Sequence, residues 1–212
     1  MAGVDFVNNG KYSDSEHELI RRAFALAEKA HAGQKRLSGE DFITHPLAVA
    51  ELLSGLNFDS ASIIAALLHD TLEDTAITSK IITDNFGADV AFLVEGVTKL
   101  KKIDYQPGIT GKSKNQYVQT LKKMFFAMAE DLRVILIKLA DRLHNMQTLQ
   151  YRLPADRERV AFETLEIYAP IAARLGMGDW KGQLEDLAFQ YAHPMEYAWL
   201  KRKIKEKHKD LA

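Results

Sequence analysis

Cysteine is absent from the 212 residues of the sequence, and this absence narrows the possible chemistry. Without thiols the chain can form no disulfide framework and offers no thiolate ligands to a metal. Any bound metal must therefore be held by histidine nitrogens or carboxylate oxygens, a donor set that suits Mn²⁺, Mg²⁺ or Zn²⁺.

An excess of charge of one sign is missing as well, since 28 Lys and Arg residues are balanced by 29 Asp and Glu residues. This balance gives no overall basic field for DNA and no polybasic signal for a membrane, although it leaves room for a local basic pocket. We find no apolar run long enough to cross a bilayer and no secretion signal at the N-terminus. We therefore expect a cytoplasmic protein, and the oligomeric state stays unknown.

Helical periodicity dominates the chain, and strand-like alternation of useful length and internal repeats are missing. Ser13 and Glu16 form a capping-box pattern before apolar residues at helical spacing. Asp59 can cap an apolar helix that continues to about residue 73. Pro170 predicts a kink or break in its helix. Further helices are predicted at about 46–53, 78–87, 88–101, 115–128, 131–150, 155–174, 179–191 and 194–210.

The length of the chain suits a single domain, 1–212, with a sizeable core. Residues 102–114 contain Pro, Gly and polar residues, which predict a flexible connection that is too short to mark a domain boundary. The lysine-rich helix at about 194–210 is interpreted as a solvated face or an interdomain segment in preference to a nucleic-acid arm. The sequence therefore predicts an all-α bundle of about eight to ten helices.

The strongest local signal for chemistry is a run of four ionisable residues, His69, Asp70, Glu73 and Asp74. On a helix, His69 and Glu73 lie one turn apart, and so do Asp70 and Asp74. Because the preceding helix is almost entirely apolar, such groups are costly at its end unless they are paired or bind a metal. Taken alone, the run fits a surface patch at a helix end as well as it fits a metal site.

Two further positions complete a possible set of metal ligands. His45 lies at a predicted helix start, where its ring can face inward. Asp141 directly follows the apolar run 134–140, a position that solvation explains poorly. With His69 and Asp70 they provide two imidazoles and two carboxylates, which can hold one divalent ion and leave positions for water and phosphate oxygens.

Long motifs follow one another between about residues 15 and 200. They are AHAGQKRLSGE at 30–40, THPLAVA at 44–50, AALLHDTLEDT at 65–75, GVTKL at 96–100, the stretch 133–149, ETLEIYAP at 163–170 and LEDLAF at 184–189. In these motifs the chain resembles the N-terminal hydrolase domain of the RelA/SpoT homologues, a branch of the HD phosphohydrolase superfamily.

The resemblance implies a role for each motif residue. The implied ligands of one Mn²⁺ are His45, His69, Asp70 and Asp141. The implied acidic pair that handles the attacking water is Glu73 and Asp74, since a carboxylate can orient water or shuttle a proton. The implied contacts to the guanine nucleoside are Lys35, Arg36, Leu37, Ser38, Asn145 and Thr148. Among them, Arg36 has a planar guanidinium that can stack on a purine.

The implied activity is hydrolysis of the 3′-pyrophosphate of (p)ppGpp, the alarmone of the stringent response, to GDP or GTP and pyrophosphate. Synthetase activity is not expected, because the chain ends before any synthetase domain. One alternative is an HD hydrolase of another nucleotide. The other is a non-catalytic nucleotide-binding domain, which would typically have lost the His-Asp or the acidic pair, and both are present here.

Three differences from the family pattern lie around the ligand loops. Residues 117–120 read Tyr-Val-Gln-Thr where the family has an acidic, amide-rich run, and Gln147 replaces a common arginine. Asp41 and Phe42 replace a Pro-Tyr pair. Since none of these positions is a metal ligand, the differences bear on substrate preference and affinity more than on catalysis.

Overall fold

The computed structural model describes the backbone of residues 4, 11–101 and 111–210, and the side chains of residues 4, 11–100 and 121–207. The helices in these ranges are α1 (Asp14–Ala30), α2 (Thr44–Gly55), α3 (Ser60–Leu68), α4 (Thr71–Asp74), α5 (Ser79–Phe86), α6 (Ala88–Lys101), α7 (Gly111–Glu130), α8 (Leu132–Gln147), α9 (Pro154–Glu163), α10 (Ala169–Arg174), α11 (Gly178–Ala192) and α12 (Pro194–Asp210). A 3₁₀ turn covers Leu149–Tyr151 and a π-helical segment covers Thr164–Tyr168.

The predicted all-α fold is confirmed. The one strand-like feature of the described residues is an isolated antiparallel bridge between Lys35 and Asp41. Counting the single-turn α4 with α3, and α10 with α9, gives ten helices in the described ranges, within the predicted eight to ten. None of the helices described is both long and apolar enough to cross a membrane.

Two predicted boundaries are wrong. The helix expected to continue to about residue 73 ends at Leu68, and α4 begins at Thr71. The Thr71 hydroxyl donates to the Leu68 carbonyl over 2.7 Å, a side-chain bond that competes with continuation of the helix. Helix α7, expected from about residue 115, begins at Gly111. The rest of the predicted connection, residues 102–110, lies outside the described residues.

The helices group into two compact units. The first contains α1–α6, α7 from residue 117 and α8 as far as His144; the second contains the beginning of α7 and everything from Asn145 onward. That the whole chain acts as one domain stays a prediction.

Helix α3 is the centre of the first unit and packs against α1, α2 and α6. Every residue from Ser62 to Leu68 is buried, so the helix is apolar on all sides, as befits a core helix. Its N-terminus is fixed by Asp59, which accepts a hydrogen bond from the Ser62 N–H over 2.8 Å. The C-terminal end of α3 therefore delivers the residues that follow, His69 and Asp70, into the protein interior.

Helix α8 comes close to α6 at a glycine. A Cβ atom added to Gly96 would lie 2.8 Å from a Val134 methyl carbon, so a side chain at 96 would push the helices apart. Arg133 anchors the same end of α8, with ion pairs of 2.6 to 3.0 Å to Asp59, Asp89 and Asp131. These contacts hold the buried part of α8 and so determine where Asp141 lies.

In the second unit, α11 packs against α9, α10 and the π-helical segment between them. The predicted interruption at Pro170 takes the form of this π-helical segment, which ends at Tyr168, and not of a break. A proline cannot donate its backbone nitrogen and crowds the carbonyl one turn earlier, and a π-helical turn accommodates both effects. Helix α12 is mostly exposed, as expected for a solvated face.

Candidate metal centre

The four predicted metal ligands come together inside the first unit. His45, His69, Asp70 and Asp141 are each 5% exposed or less. One ligand atom each of His45, His69 and Asp70 lies within 4.8 Å of the other two. Asp141 joins them through Oδ1, which is 3.2 Å from His45 Nε2 and 3.9 Å from His69 Nε2. Two imidazole nitrogens and two carboxylates thus converge on one buried point.

The ring of His69 is held in the tautomer that a metal ligand needs. Its Nδ1 lies 2.7 Å from the Ala66 carbonyl oxygen, and because a carbonyl can only accept, Nδ1 carries the proton. In the neutral ring Nε2 then has a free lone pair. This buried Nε2 has no hydrogen-bond partner in the described part of the chain, and it lies 3.3 Å from an Asp70 oxygen. A buried acceptor among carboxylates fits a cation site.

Asp141 is held by a buried lysine. Its Oδ2 accepts a hydrogen bond from Lys138 Nζ over 2.5 Å, and Lys138 is 6% exposed. Burial alone would raise the pKa of the Asp141 carboxyl, but the Lys138 ammonium and His45 hold that pKa well below its usual range. The carboxylate is therefore ionised, and Oδ1 is left facing the two histidines.

The two remaining imidazoles of the centre favour their neutral forms. Burial lowers the pKa of His45. Burial, followed by the charges of His45 and Arg36, lowers the pKa of His144 to about 4. Neutral imidazole is the form that ligates a metal. The ionised Asp141 carboxylate lies beside these rings, and its negative charge favours a cation.

The predicted acidic pair lies in the single turn α4. The Asp74 N–H donates to the Asp70 carbonyl over 3.0 Å, so Asp74 lies one turn after Asp70 although α3 has already ended. Glu73 is half-buried and Asp74 is exposed. The pair therefore lies next to Asp70 in the chain, with one carboxylate partly inside and the other toward solvent.

The loop of residues 31–43, called here the 31–43 loop, is ordered by its own backbone. The Arg36 N–H donates to the Glu40 carbonyl, and the Gly39 N–H donates to the Arg36 carbonyl, both over 2.9 Å. Gly39 has a φ of 90°, which only glycine adopts easily, and this closes the tip. Leu37 is 73% exposed, and the Ser38 hydroxyl donates to the Glu40 carboxylate.

The Asp41-Phe42 difference has visible consequences in this loop. Lys35 Nζ lies 2.7 Å from Asp41 Oδ1, an exposed ion pair that a proline at 41 could not form. Phe42 stacks on His31, with ring centroids 4.5 Å apart, and meets His45 edge-on at 6.2 Å. The loop is thus packed onto a predicted metal ligand, and the charge of Lys35 is partly neutralised.

Two predicted nucleoside contacts, Asn145 and Thr148, belong to the second unit. The Thr148 hydroxyl lies 3.5 Å from the Asn145 carbonyl oxygen, and both residues are half-buried. Gln147 is exposed. The side chains of residues 117–120 lie outside the described residues. Contact of these positions with a nucleotide stays a prediction.

Four residues that sequence reasoning did not single out support the site. Lys138 and His144 contact predicted ligands, and His31 and Gln34 connect the 31–43 loop to α4: His31 Nδ1 lies 2.8 Å from Gln34 Oε1, and Gln34 Nε2 donates to the Asp74 carbonyl over 2.9 Å. One signal was available, because a lysine three residues before Asp141 lies on the same face of the helix as that aspartate.

The chain is similar to known proteins. A family model described as an HD domain matches residues 23–178. The guanosine-3′,5′-bis(diphosphate) 3′-pyrophosphohydrolase of Aquifex aeolicus is 48% identical over 194 residues, 92% of this chain and 27% of that protein. The enzyme of the same name from Haemophilus influenzae is 48% identical over 179 residues, 84% of this chain and 26% of that protein.

Some relatives carry another name. A GTP pyrophosphokinase of Myxococcus xanthus is 45% identical over 199 residues, 94% of this chain and 26% of that protein. The chain thus spans about a quarter of the length of the curated relatives it matches.

The fold is also found in a solved structure, that of a metazoan ortholog of SpoT described as hydrolysing ppGpp and playing a role in starvation responses. The match has a TM-score of 0.53 and 23% sequence identity, and it covers 90% of this chain and 97% of that one. Together with the sequence relatives, this confirms the predicted resemblance to the hydrolase domain of RelA/SpoT homologues.

Proposed function

Because the chain belongs to the HD domain family, we propose that it is a metal-dependent phosphohydrolase that removes the 3′-pyrophosphate of (p)ppGpp. In this reaction the bond between phosphorus and the ribose 3′ oxygen breaks, the oxygen of water joins phosphorus, and a proton returns to the 3′ oxygen. The products are GDP or GTP and pyrophosphate. Relatives that carry this activity in their name are 48% identical to the chain, and this supports the choice of substrate.

The observation that carries the proposal is the buried cluster of two histidines and two aspartates around His69 Nε2. We propose that one Mn²⁺ is held by His45, His69, Asp70 and Asp141. The absence of thiolates and the mixed nitrogen and oxygen donors suit this ion. When bound, such an ion supplies Lewis acidity, which polarises a phosphoryl oxygen and makes water a usable nucleophile near neutral pH.

The other residues are assigned to the water and the nucleotide. Glu73 is half-buried beside Asp70 and is proposed to orient the attacking water and accept its proton. The more exposed Asp74 is proposed to assist by passing that proton to solvent. Arg36 is proposed to stack on the guanine, with Lys35, Leu37 and Ser38 beside it. Asn145 and Thr148 are proposed to contact the nucleoside.

The deciding experiment is turnover of ppGpp by the purified chain with Mn²⁺, with GDP and pyrophosphate detected by ion-exchange chromatography. We expect both products in equal amounts, no turnover in EDTA, and recovery when Mn²⁺ is restored. The His69→Ala variant serves as the matched inactive control.

A substrate panel separates the two alternatives. Turnover of an adenine 3′-pyrophosphate or a nucleoside 5′-monophosphate, with ppGpp left intact, would indicate an HD hydrolase of another nucleotide. Tight ppGpp binding with no product at any Mn²⁺ concentration would indicate a non-catalytic binding domain.

A further inference from the structure

Resting on the metal centre proposed above, we infer that His144 is a positioning residue for the metal. In this role it accepts a hydrogen bond from His45 Nδ1–H and so keeps His45 in the tautomer whose Nε2 lone pair faces the centre. His144 itself touches neither the metal nor the substrate in this assignment.

The geometry of the two rings carries the inference. His45 Nδ1 lies 2.8 Å from His144 Nδ1, so one of these nitrogens donates and the other accepts. On its other side, His45 Nε2 lies 3.2 Å from Asp141 Oδ1 and 3.5 Å from Asp70 Oδ2. If Nε2 is to ligate a metal it must have a lone pair, so the ring proton must be on Nδ1. The donor is then His45, and His144 Nδ1 must accept.

The two rings can also keep their hydrogen bond when no metal is bound. There His45 Nε2–H can donate to Asp141, while His45 Nδ1 accepts from His144 Nδ1–H. With a lone pair on His45 Nε2, the His45 proton would be on Nδ1 and the His144 proton would be on Nε2. The two rings carry two ring protons in either arrangement, and the hydrogen bond between them is kept.

The three histidine and aspartate ligands for which a supporting contact is seen follow one pattern. His69 is oriented by the Ala66 carbonyl, Asp141 by Lys138, and His45 by His144. Supporting partners of this kind typically contribute about 10- to 100-fold to metal affinity or activity. His144 differs from the other two supporting groups because its Nδ1 atom can donate or accept a hydrogen bond, whereas the Ala66 carbonyl only accepts and the Lys138 ammonium only donates.

The test compares two substitutions at one position. His144→Phe keeps a planar ring but removes the acceptor, whereas His144→Asn places an amide, which can accept or donate, near the position of Nδ1. His17→Phe on α1 is the matched control, since its ring packs edge-on to Tyr12 and has no part in the centre. Mn²⁺ affinity is measured by EPR of the free ion without nucleotide, and melting temperature is recorded for each variant.

We expect His144→Phe to weaken Mn²⁺ binding about 10- to 100-fold, and His144→Asn and His17→Phe to stay within about threefold of the unsubstituted chain. A residue that merely filled space would give the opposite order, because phenylalanine fills the site better than asparagine. Unchanged affinity in His144→Phe, or an equal loss in both His144 variants, overturns the inference.

A second measurement needs no variant. Long-range ¹⁵N–¹H NMR of the unsubstituted chain loaded with Zn²⁺, a diamagnetic ion, should show the His45 proton on Nδ1 and the His144 proton on Nε2. Any other arrangement overturns the inference while leaving the hydrolase proposal standing. If the unsubstituted chain binds neither Mn²⁺ nor Zn²⁺, the metal centre fails and the role of His144 fails with it.

Discussion

The metal centre and the 31–43 loop are neighbours that are built in opposite ways. In the candidate metal centre the predicted ligands are buried, and Ala66, Lys138 and His144 each contact one of them. In the loop the backbone is ordered, but the side chains at its tip face solvent, as Leu37 does at 73% exposure. Substitution of a buried group leaves its buried partner without a hydrogen bond, which is costly. The partner of an exposed group can bind water instead, so the cost of that substitution is small.

The two regions are nevertheless connected. Gln34 donates to the Asp74 carbonyl, and Phe42 packs on His45. The loop therefore has a fixed base and an exposed tip. Substitution effects should therefore decrease in order from the predicted ligands, through the acidic pair, to the tip of the loop and its ion pair.

The largest effect is expected at the ligands. His69→Ala should abolish stoichiometric Mn²⁺ binding and lower kcat by roughly a thousandfold or more, because a Lewis-acid metal contributes several kcal/mol to the reaction. Asp141→Asn is the companion variant, since asparagine keeps the shape and a polar contact for Lys138, whereas alanine would leave that buried ammonium facing a cavity.

Metal content by atomic emission and kcat at saturating ppGpp are the measurements. Circular dichroism should show the helical content of both variants unchanged. Turnover within tenfold of the unsubstituted chain in either variant would remove the ligand assignment.

The second effect concerns Glu73. Glu73→Gln should lower kcat by about 10²-fold, because the amide can no longer accept a proton from water. KM and Mn²⁺ affinity should change little, since Glu73 is not assigned as a ligand. Steady-state kinetics at several Mn²⁺ concentrations make the check. A variant that lost metal but regained full kcat at high Mn²⁺ would show Glu73 to be a ligand instead of a base.

The third effect is expected at the tip of the loop. Arg36→Ala should raise KM for ppGpp about 5- to 10-fold with little change in kcat, because stacking of the guanidinium on a base contributes roughly 1 kcal/mol and acts equally in ground and transition states. Metal content should not change. Kinetics on guanine and adenine 3′-pyrophosphates would detect the expected loss of base preference. Unchanged KM and preference would show that the tip is an ordinary solvated surface.

The burial of the predicted ligands could be expected from the sequence for a physical reason, whereas the roles of the loop residues could not. A helix as apolar as 62–68 is expected to be buried, so the ionisable residues that follow it, His69 and Asp70, were candidates for burial and would then need partners. The same logic applies to Asp141 after its apolar run. These inferences depend only on burial, which periodicity reveals.

Orientation could not be predicted in this way. The break after Leu68 is accompanied by one local hydrogen bond from the Thr71 hydroxyl, and the His45–His144 contact joins residues 99 positions apart in the chain. Hydrophobic periodicity gives no information about such polar contacts. The base-reading roles in the 31–43 loop came from the family resemblance alone, because lysine, arginine and serine in an exposed loop have no pattern that separates binding from solvation.

The smallest effect is expected at Asp41, which forms the exposed ion pair of the 31–43 loop with Lys35. Asp41→Asn removes the carboxylate 2.7 Å from Lys35 Nζ and leaves the loop more positive toward an anionic nucleotide. Because an exposed ion pair is worth about 0.2–1 kcal/mol, KM for ppGpp should fall only about two- to fourfold, and kcat should not change. The gain should disappear at high salt, since both loop charges are screened there. KM is measured at low and high ionic strength, with Lys80→Met, which breaks the remote Lys80–Asp84 pair on α5, as the control that should not respond. A rise in KM would mean that Asp41 holds Lys35 in its binding position; that result would make the loop a supported site like the metal centre and end the contrast between them.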